Sequence, residues 1–327
     1  MDTAILKFSR KSLARFQSLI ALGAMVLAMT LLSREFLTAN NARIIFLQIS
    51  VNICLSVGMT LVVLTAGIDL SVGAILALSG AVAAGLLKNG IALPHFDLLV
   101  QFTVFGAILA GVFTGLLLGC FNGIAITRFK LPPFVATLGM LSIARGLTML
   151  WTGGFPITDL GAGFGYIGTG VFLGIPMLVW ISAGVVAVFV VVTRKMPFGR
   201  YIYAIGGNER AAVLSGLQVN KIKLLVYTLA GGLSGLAGLI IAARLDSAQP
   251  NAGLGYELDS IAAVVIGGTS LSGGRGSVMG TVVGCIIIGV MNNGLVVLNV
   301  SPFWQQVVKG FVILAAVAID KKSGRET

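Results

Sequence analysis

Long apolar runs separated by short polar connections dominate the pattern of this chain. A helix that crosses the ~30 Å hydrocarbon core of a bilayer needs about 20 apolar residues. Most of the runs approach or exceed that length, and a further apolar piece, 259–271, predicts a short or broken helix. The longer runs are 18–33, 44–66, 71–88, 98–127, 133–151, 174–193, 224–243, 278–298 and 302–319. The pattern predicts an all-α, polytopic membrane protein of about ten transmembrane segments in a single domain over 1–327.

The composition supports a lipid environment. Hydrophobic residues make up 57% of the chain and charged residues only 10%, whereas soluble domains carry about 25% charged residues. A net charge of +11 can also indicate nucleic-acid binding. The basic residues lie between apolar runs rather than on one face, however, so we expect the lipid bilayer as a partner and no nucleic acid.

Basic residues mark one side of the predicted spans. Cytoplasmic connections of membrane proteins are enriched in lysine and arginine. Most of the 22 basic residues fall at one set of span ends: Lys7, Arg10, Lys11, Arg15, Arg128, Lys130, Arg194, Lys195, Arg200, Arg210, Lys221, Lys223, Arg275, Lys321, Lys322 and Arg325. The opposite ends carry Arg34, Arg43, Lys88 and Arg244 among acidic residues. The bias predicts cytoplasmic termini and a cytoplasmic loop 194–223, which requires ten spans rather than nine.

Two glycine-rich runs repeat a similar arrangement. Glycines at 111, 115, 119 and 123, and at 276, 280 and 284, recur every four residues, which places each set on one helix face. The runs end in Gly-x-x-Asn, at Asn122 and Asn292. Because they lie five predicted spans apart, their directions are opposite. The pattern predicts two inverted halves, about 18–151 and 174–320, although glycine-rich helices also resemble each other by chance.

A polar helix start precedes each glycine-rich run, as "GIDLSVG" and "YELDS". Side chains in these starts are predicted to cap free amide groups. The predicted caps are Asp69, Ser71, Asp259 and Ser260. A proton or substrate site is the alternative for Asp69, and we favour the cap because Asp-x-Ser begins an apolar helix.

Other polar residues within the spans have two interpretations. Four amides can line a substrate path and hydrogen-bond a polyol, or they can tie helices together, and the sequence leaves both open. They are Asn52, Asn122, Asn292 and Asn293. Arg145 and Lys309 also lie in or near spans. We expect them to pair or to reach the membrane surface rather than to bind substrate directly.

No enzyme chemistry emerges from the motifs. Cys54, Cys120 and Cys285 stand alone in apolar runs and His95 is the only histidine, so neither a metal site nor histidine catalysis is expected. The stretch "SGGRGSVMG" lacks the Gly-Lys-Ser/Thr of a phosphate-binding loop. An intramembrane aspartyl protease is a third interpretation. Asp69 and Asp259 are expected near opposite membrane faces and neither follows Gly-x-Gly, which argues against it. Active transport then needs an ion gradient, with Asp69 as the ion site, or another subunit.

The loop 199–223 predicts a short exposed helix. In "NERAAVLSG", Asn208 is a predicted N-cap, Glu209 lies in the first turn and Gly216 follows the end. Ala211, Ala212 and Leu214 give this helix a small apolar surface, beside Arg210 and Ser215. A helix of two turns is barely stable alone in water, so we expect it to pack on the spans and on a partner.

The chain resembles the membrane-spanning permeases of bacterial ABC importers for ribose and related sugars. The resemblance is carried by "GMTLVVLTAGIDLSVGAILALSGAVAA" (58–84), "GRYIYAIGGNERAAVLSGLQVNKIK" (199–223), "SAQPNAGLGYELDSIAAVVIGGTSLSGGRG" (247–276) and "NNGLVVLNVS" (292–301). It extends through nearly the whole chain. It implies a monosaccharide as substrate, with ribose expected and allose or xylose left open.

The same resemblance implies partners and a location. A second permease copy, as a homodimer, would form the path. A cytoplasmic ATPase with two nucleotide-binding cassettes would use ATP and Mg, while this chain binds no cofactor, and 208–216 would be the coupling helix that docks on the ATPase. A periplasmic binding protein would deliver the sugar at the inner membrane. Arg34, Arg43 and Arg244 are candidates for docking that protein, or are ordinary membrane anchors.

Overall fold

The computed structural model describes residues 18–93 and 98–325, with side chains at 92–93 and 319–325 left aside. The predicted cytoplasmic residues Lys7, Arg10, Lys11 and Arg15, and also His95, lie outside this description. The helices are α1 (Ser18–Leu32), α2 (Ala39–Leu64), α3 (Val72–Lys88), α4 (Val104–Thr127), α5 (Pro133–Thr152), α6 (Ala162–Thr169), α7 (Met177–Lys195), α8 (Pro197–Gly207), α9 (Glu209–Leu214), α10 (Val219–Leu245), α11 (Tyr256–Ile266), α12 (Val278–Val297) and α13 (Pro302–Arg325).

Three short antiparallel strand pairs lie in the connections. They are β1 (Ile91–Leu93) with β2 (Leu98–Val100), β3 (Ile157–Thr158) with β6 (Ser247–Ala248), and β4 (Val171–Phe172) with β5 (Ile175–Pro176). The β3–β6 pair joins two distant connections. It is reinforced by Asp246, whose carboxylate accepts a hydrogen bond from the Leu160 amide at 3.0 Å.

In the described ranges, six helices are long and apolar enough to cross a membrane: α2, α4, α5, α7, α10 and α12. Within the described residues α1, α3 and the Pro302–Ala318 part of α13 are shorter apolar helices. The prediction of an all-α, polytopic membrane protein is confirmed at this level. The count of ten spans and the inverted halves stay predictions.

Three predicted boundaries are wrong. The run 98–127 begins as strand β2, and α4 starts only at Val104, after Thr103 accepts a hydrogen bond from the Gly106 amide. The run 174–193 likewise begins in β5, before α7. The short piece 259–271 is a short helix, as predicted, but α11 ends at Ile266 because Gly268 has a φ of +85° that a helix cannot continue through.

The first glycine set packs α4 against α10. A Cβ atom at Gly115 would meet the Gly231 carbonyl, and one at Gly119 would meet the Tyr227 carbonyl. The two backbones therefore touch, as the four-residue spacing predicts. The opposite face of α4 exposes large apolar side chains suited to lipid: Phe105, Leu109, Phe113, Leu117 and Phe121.

The second glycine set packs α12 against α11. Gly280 faces the backbone of Gly267, and Gly284 faces the carbonyl of Ala263. The prediction that Gly276 shares this face is wrong, because α12 begins after it, at Val278. Gly276 instead has a φ of +146° and faces the Thr269 side chain.

Two non-helical segments, 65–71 and 246–255, return into the bundle before α3 and α11 begin. Asp69, in the first of these segments, is fully buried. The start of α3 and the segment before α11 meet at Gly73 and Gly253, where each glycine faces the other's carbonyl oxygen. Backbone thus contacts backbone where the two short helices approach each other.

Candidate coupling helix and polar clusters

The short helix α9 has the local structure that its sequence predicts. The Asn208 side chain accepts a hydrogen bond from the Ala211 amide at 3.0 Å, which satisfies a free donor at the helix start. Gly216 follows the helix with a φ of +81°, a conformation that favours glycine. Glu209 forms an ion pair with Lys223 of α10 at 2.8 Å. This pair fastens α9 to the next span.

The exposed surface of α9 differs in part from the prediction. Ala212 is only 4% exposed and packs into the hydrophobic core, so it is not available to a partner. Ala211 and Leu214 are exposed, and Leu214 is 88% exposed. Val213, which the sequence interpretation omitted, is also exposed. The tip of α9 therefore presents an apolar patch beside Arg210.

The preceding helix, α8, packs against the end of α2 and against the connection before α12. Gly206 lies on the carbonyl of Leu64, at the end of α2, and on the amide of Gly274. That amide donates a hydrogen bond to the Leu64 carbonyl at 3.0 Å. The Tyr203 hydroxyl donates to the Gly276 carbonyl at 3.0 Å. Burial raises the pKa of Tyr203, so the hydroxyl stays a donor at neutral pH.

The first polar cluster joins α3 and α4. One carboxylate oxygen of Asp69 accepts hydrogen bonds from the Ser71 amide and hydroxyl, and Asn122 donates to the Ser71 hydroxyl at 2.9 Å. All three residues are buried. The prediction that Ser71 caps α3 is wrong, because its hydroxyl is occupied by Asp69 and Asn122 and makes no bond to a helix amide. Asp69 binds the amide just before the helix instead.

The second polar cluster joins α11, α12 and α13. One oxygen of Asp259 accepts from Lys309 at 2.9 Å and from Asn292 at 3.3 Å. The side chain of Asp259 is 4% exposed and that of Lys309 is 28% exposed. The cap prediction for Asp259 and Ser260 is wrong, because α11 starts at Tyr256 and both residues lie inside it. Lys309 pairs, as the sequence interpretation expects.

The remaining predicted path amides lie inside the helix packing. Asn293 of α12 and Asn41 of α2 exchange side-chain hydrogen bonds of 2.8 and 2.9 Å. The sequence does not indicate Asn41, because it lies before residue 44, where the apolar run is predicted to begin. Asn52 is buried in α2. Nearby, the hydroxyls of Thr60 and Thr281 share a hydrogen bond of 2.7 Å across the same helix pair.

Arg145 of α5 holds the segment before α11. Its guanidinium donates to the carbonyls of Pro250 and Ala252, at 2.8 and 3.0 Å. The charge also lies within electrostatic range of Glu257. Arg145 thus binds backbone carbonyl groups and forms no ion pair with an acidic side chain in the described residues, so the expectation that it pairs or reaches the membrane surface stays a prediction.

The three candidate docking arginines lie at helix ends or in connections. Arg34 and Arg43 are exposed, and Arg244, in the last turn of α10, is partly exposed. None forms an ion pair with an acidic side chain in the described parts of the chain.

A cavity of about 730 Å³ lies between α1, α2, α7 and α12. Its lining is almost entirely apolar, and its two serines, Ser50 and Ser182, are hydrogen-bonded to each other at 3.3 Å. Such a lining suits hydrocarbon and offers a sugar few hydrogen-bond partners.

Known proteins resemble this chain over most of its length. Residues 41–317 match the family described as "Branched-chain amino acid transport system / permease component". The ribose import permease protein RbsC of Bacillus subtilis is 49% identical, covering 93% of this chain and 91% of that protein. RbsC of Escherichia coli K12 is 46% identical over 96% of each.

A relative with a different printed substrate is also similar. The D-allose transport system permease protein AlsC of E. coli K12 is 41% identical, covering 88% of this chain and 85% of that protein. No solved structure gives a significant match. This multi-pass chain therefore belongs to the permease family matched over 41–317.

Proposed function

We propose that this chain is the membrane permease subunit of an ATP-driven importer that conducts a monosaccharide, D-ribose, from periplasm to cytoplasm. The support for ribose is the 46–49% identity to ribose import permeases over more than nine tenths of the chain. The D-allose permease is less similar, at 41%. This chain is the transport component, and we assign ATP hydrolysis to a separate subunit.

We further propose ten spans in two inverted halves, 18–151 and 174–320. Contacts support this arrangement, because α4 packs on α10 whereas α12 packs on α2. Likewise α3 packs on α5, and α11 packs on α13. Each half thus contains a long helix, a helix that begins inside the bundle and a glycine-rich helix, and the glycine-rich helix contacts the long helix of the other half. Both termini then lie in the cytoplasm.

The proposed partners follow from the resemblance to sugar permeases of ABC importers. At the cytoplasmic end, an ATPase with two cassettes binds ATP and Mg, and this chain itself binds no cofactor. A second permease copy completes the path as a homodimer in the bacterial inner membrane. At the other end, a periplasmic binding protein delivers the sugar.

The observation that carries the coupling proposal is the position of α9. Its exposed tip, at Leu214, provides an apolar knob for a cleft on the ATPase, and Arg210 suits an acidic rim. Its other side continues into α8, where Gly206 contacts the end of α2 and Gly274. Movement of the ATPase is therefore transmitted to both halves at once. The proposed coupling residues are Asn208, Glu209, Arg210, Ala211, Ala212, Leu214, Ser215 and Gly216, with Ala212 as the internal anchor.

Ala211→Arg tests this role. The substitution places a long charged side chain on the exposed face of α9, so we expect loss of sugar uptake and weaker co-purification with the ATPase, while the permease still folds. Uptake is measured in proteoliposomes that contain the permease, the ATPase and ATP, with the binding protein outside. Asn220→Arg is the matched control, because Asn220 is exposed in the first turn of α10. Normal uptake by Ala211→Arg would contradict the proposal.

We also propose that Arg34, Arg43 and Arg244 face acidic groups on the binding protein. Surface charges of this kind change the association rate and its salt dependence more than they change the binding affinity. We expect Glu substitutions at these positions to slow association at low salt and to flatten its salt dependence, as measured by surface plasmon resonance. The membrane-anchor interpretation predicts unchanged association.

An ion-coupled sugar transporter is the second candidate, and one observation favours it. The second carboxylate oxygen of Asp69 is buried and has no hydrogen-bond partner in the described residues, so it offers a binding position for a proton or cation. This candidate predicts that a protonophore or removal of Na⁺ stops uptake in vesicles without ATP. Uptake that instead requires ATP and the ATPase favours the importer.

A further inference from the structure

The segment 249–255 is backbone without regular structure next to the start of α11. Its internal hydrogen bonds run from the Ala252 amide to the Gln249 carbonyl and from the Tyr256 amide to the Gly253 carbonyl. Within the described parts of the chain, no hydrogen bond involves the backbone amide or carbonyl of Asn251 or Leu254. Asn251 is exposed, and Leu254 is 65% exposed.

This segment lies near half the height of the bundle. The helix α10 has 27 residues, which makes it about 40 Å long at 1.5 Å per residue. The first turns of α3 pack beside its second half, since Gly238 contacts the backbone of Leu76 and Gly80. Gly73 lies about one turn earlier, and therefore within about two turns of the middle of α10. Gly253 touches Gly73, which places it at the same height.

Lipid cannot cover such a segment. A backbone amide or carbonyl in hydrocarbon loses its hydrogen bonds to water, so irregular backbone at membrane depth is tolerated only inside protein or beside a water-filled cavity. The exposed groups of Asn251 and Leu254 are not inside this protomer. They therefore face water or another protein.

The neighbouring surface of α5 includes polar and small positions. Ser142 and Gly146 flank Arg145 on α5 and are exposed, and no atom lies within 4 Å of a Cβ placed at Gly146. Ile143 and Leu147 are also exposed on α5, so this surface mixes polar, small and large apolar positions. Arg145 fixes the segment through the Pro250 and Ala252 carbonyls, and its charge is offset by Glu257.

We propose that residues 249–254 form a sugar-contact wall of the translocation path, with Asn251 as a contact residue and Arg145 as the residue that positions the segment. This inference rests on the proposed function. An amide side chain both donates and accepts, which matches the alternating donor and acceptor character of sugar hydroxyls. Exposed backbone groups on the same segment add further weak contacts. The wall adds to the path candidates predicted from the sequence, Asn52, Asn122, Asn292 and Asn293. The last three each donate a hydrogen bond within the helix packing, and the side-chain oxygens of Asn52, Asn122 and Asn292 have no partner in the described residues.

Cysteine accessibility tests the wall. Asn251→Cys, with Leu254→Cys as a second position, is treated with a charged, membrane-impermeant methanethiosulfonate in vesicles of both orientations, and modification is read by mass spectrometry. Phe113→Cys is the matched control, because Phe113 is exposed near the middle of α4 on its apolar face. We expect modification at 251 and 254, slowed by saturating ribose and binding protein, and no modification at 113. Modification of the native cysteines in the parent chain supplies the background.

Transport gives the second measurement. Modified Asn251→Cys is expected to lose uptake, whereas Asn251→Ala raises the sugar concentration for half-maximal uptake about three- to tenfold, the usual effect of one lost hydrogen bond, without changing assembly with the ATPase. If neither 251 nor 254 is modified while uptake still requires ATP, the wall is refuted and the importer function stands. If the parent chain shows no ATP-dependent uptake, the proposed function fails, and the labelling result still decides whether this segment faces water.

Discussion

Lys309→Met is expected to lower the stability of the folded permease strongly and to abolish sugar uptake. Lys309 is the ion-pair partner of Asp259, whose side chain is only 4% exposed. Removal of one member of a buried pair leaves an uncompensated charge, which typically destabilises a protein by about 3–5 kcal/mol. Asn292 alone, at 3.3 Å, cannot replace the lost cation. The measurement is the thermal unfolding midpoint in detergent, together with uptake in proteoliposomes.

The double variant Lys309→Met, Asp259→Asn separates charge from shape. It removes the unpaired carboxylate while keeping the size of the side chain, so we expect it to be clearly more stable than Lys309→Met alone. A buried pair is often replaceable when both charges are removed together. Equal unfolding midpoints for the parent and Lys309→Met would show that the pair does not support α11 and α13.

Gly115→Leu is expected to prevent α4 from packing on α10 and to yield little folded protein. A Cβ atom at position 115 would collide with the carbonyl of Gly231 and would lie 3.0 Å from the Gly235 amide nitrogen. Overpacking a core typically destabilises by about 1–3 kcal/mol. The effect here is larger, because the colliding atoms are backbone and cannot change rotamer. Fluorescence-detected size-exclusion chromatography of the detergent extract measures the folded fraction.

Gly184→Leu is the control for this effect. Gly184 lies in the apolar helix α7, and no atom lies within 4 Å of a Cβ placed there. The same added volume should therefore leave the elution profile unchanged. A monodisperse peak of normal height for Gly115→Leu would contradict the close approach of the two backbones.

Local signals in the sequence predict local structure well in this chain. The cap residue Asn208 and the terminal Gly216 predict the limits of α9, because a helix of this size is decided by its own ends. The four-residue glycine spacing predicts the contact face of α4, because glycines on one helix face allow a neighbouring backbone to approach closely. Apolar length alone does not distinguish β2 from the start of α4, since both continue the same apolar run.

Partners that are far apart in sequence are not predictable in this way. Asp259 binds Lys309, 50 residues later, and Asn41 binds Asn293, 252 residues later. The cap predicted at Ser71 fails for this reason, because its hydroxyl is bonded to Asp69 and Asn122 and no longer serves its own helix. The cap predicted at Ser260 fails for another reason, since α11 already begins at Tyr256. The position of segment 249–254 is not predictable from the sequence either. Its turn residues indicate only a connection, and the depth of the segment follows from the contact of Gly253 with Gly73.

The contact between α8 and the end of α2 has a consequence for the variation of residues on α9. Gly206, Leu64 and Gly274 meet through main-chain atoms only, so this contact does not involve any side chain of α9. Leu214, at the exposed tip of α9, takes no part in that contact. Under the coupling proposal, the exposed residues of α9 are therefore expected to be exchangeable to fit another ATPase without a change in the contact between α8 and α2.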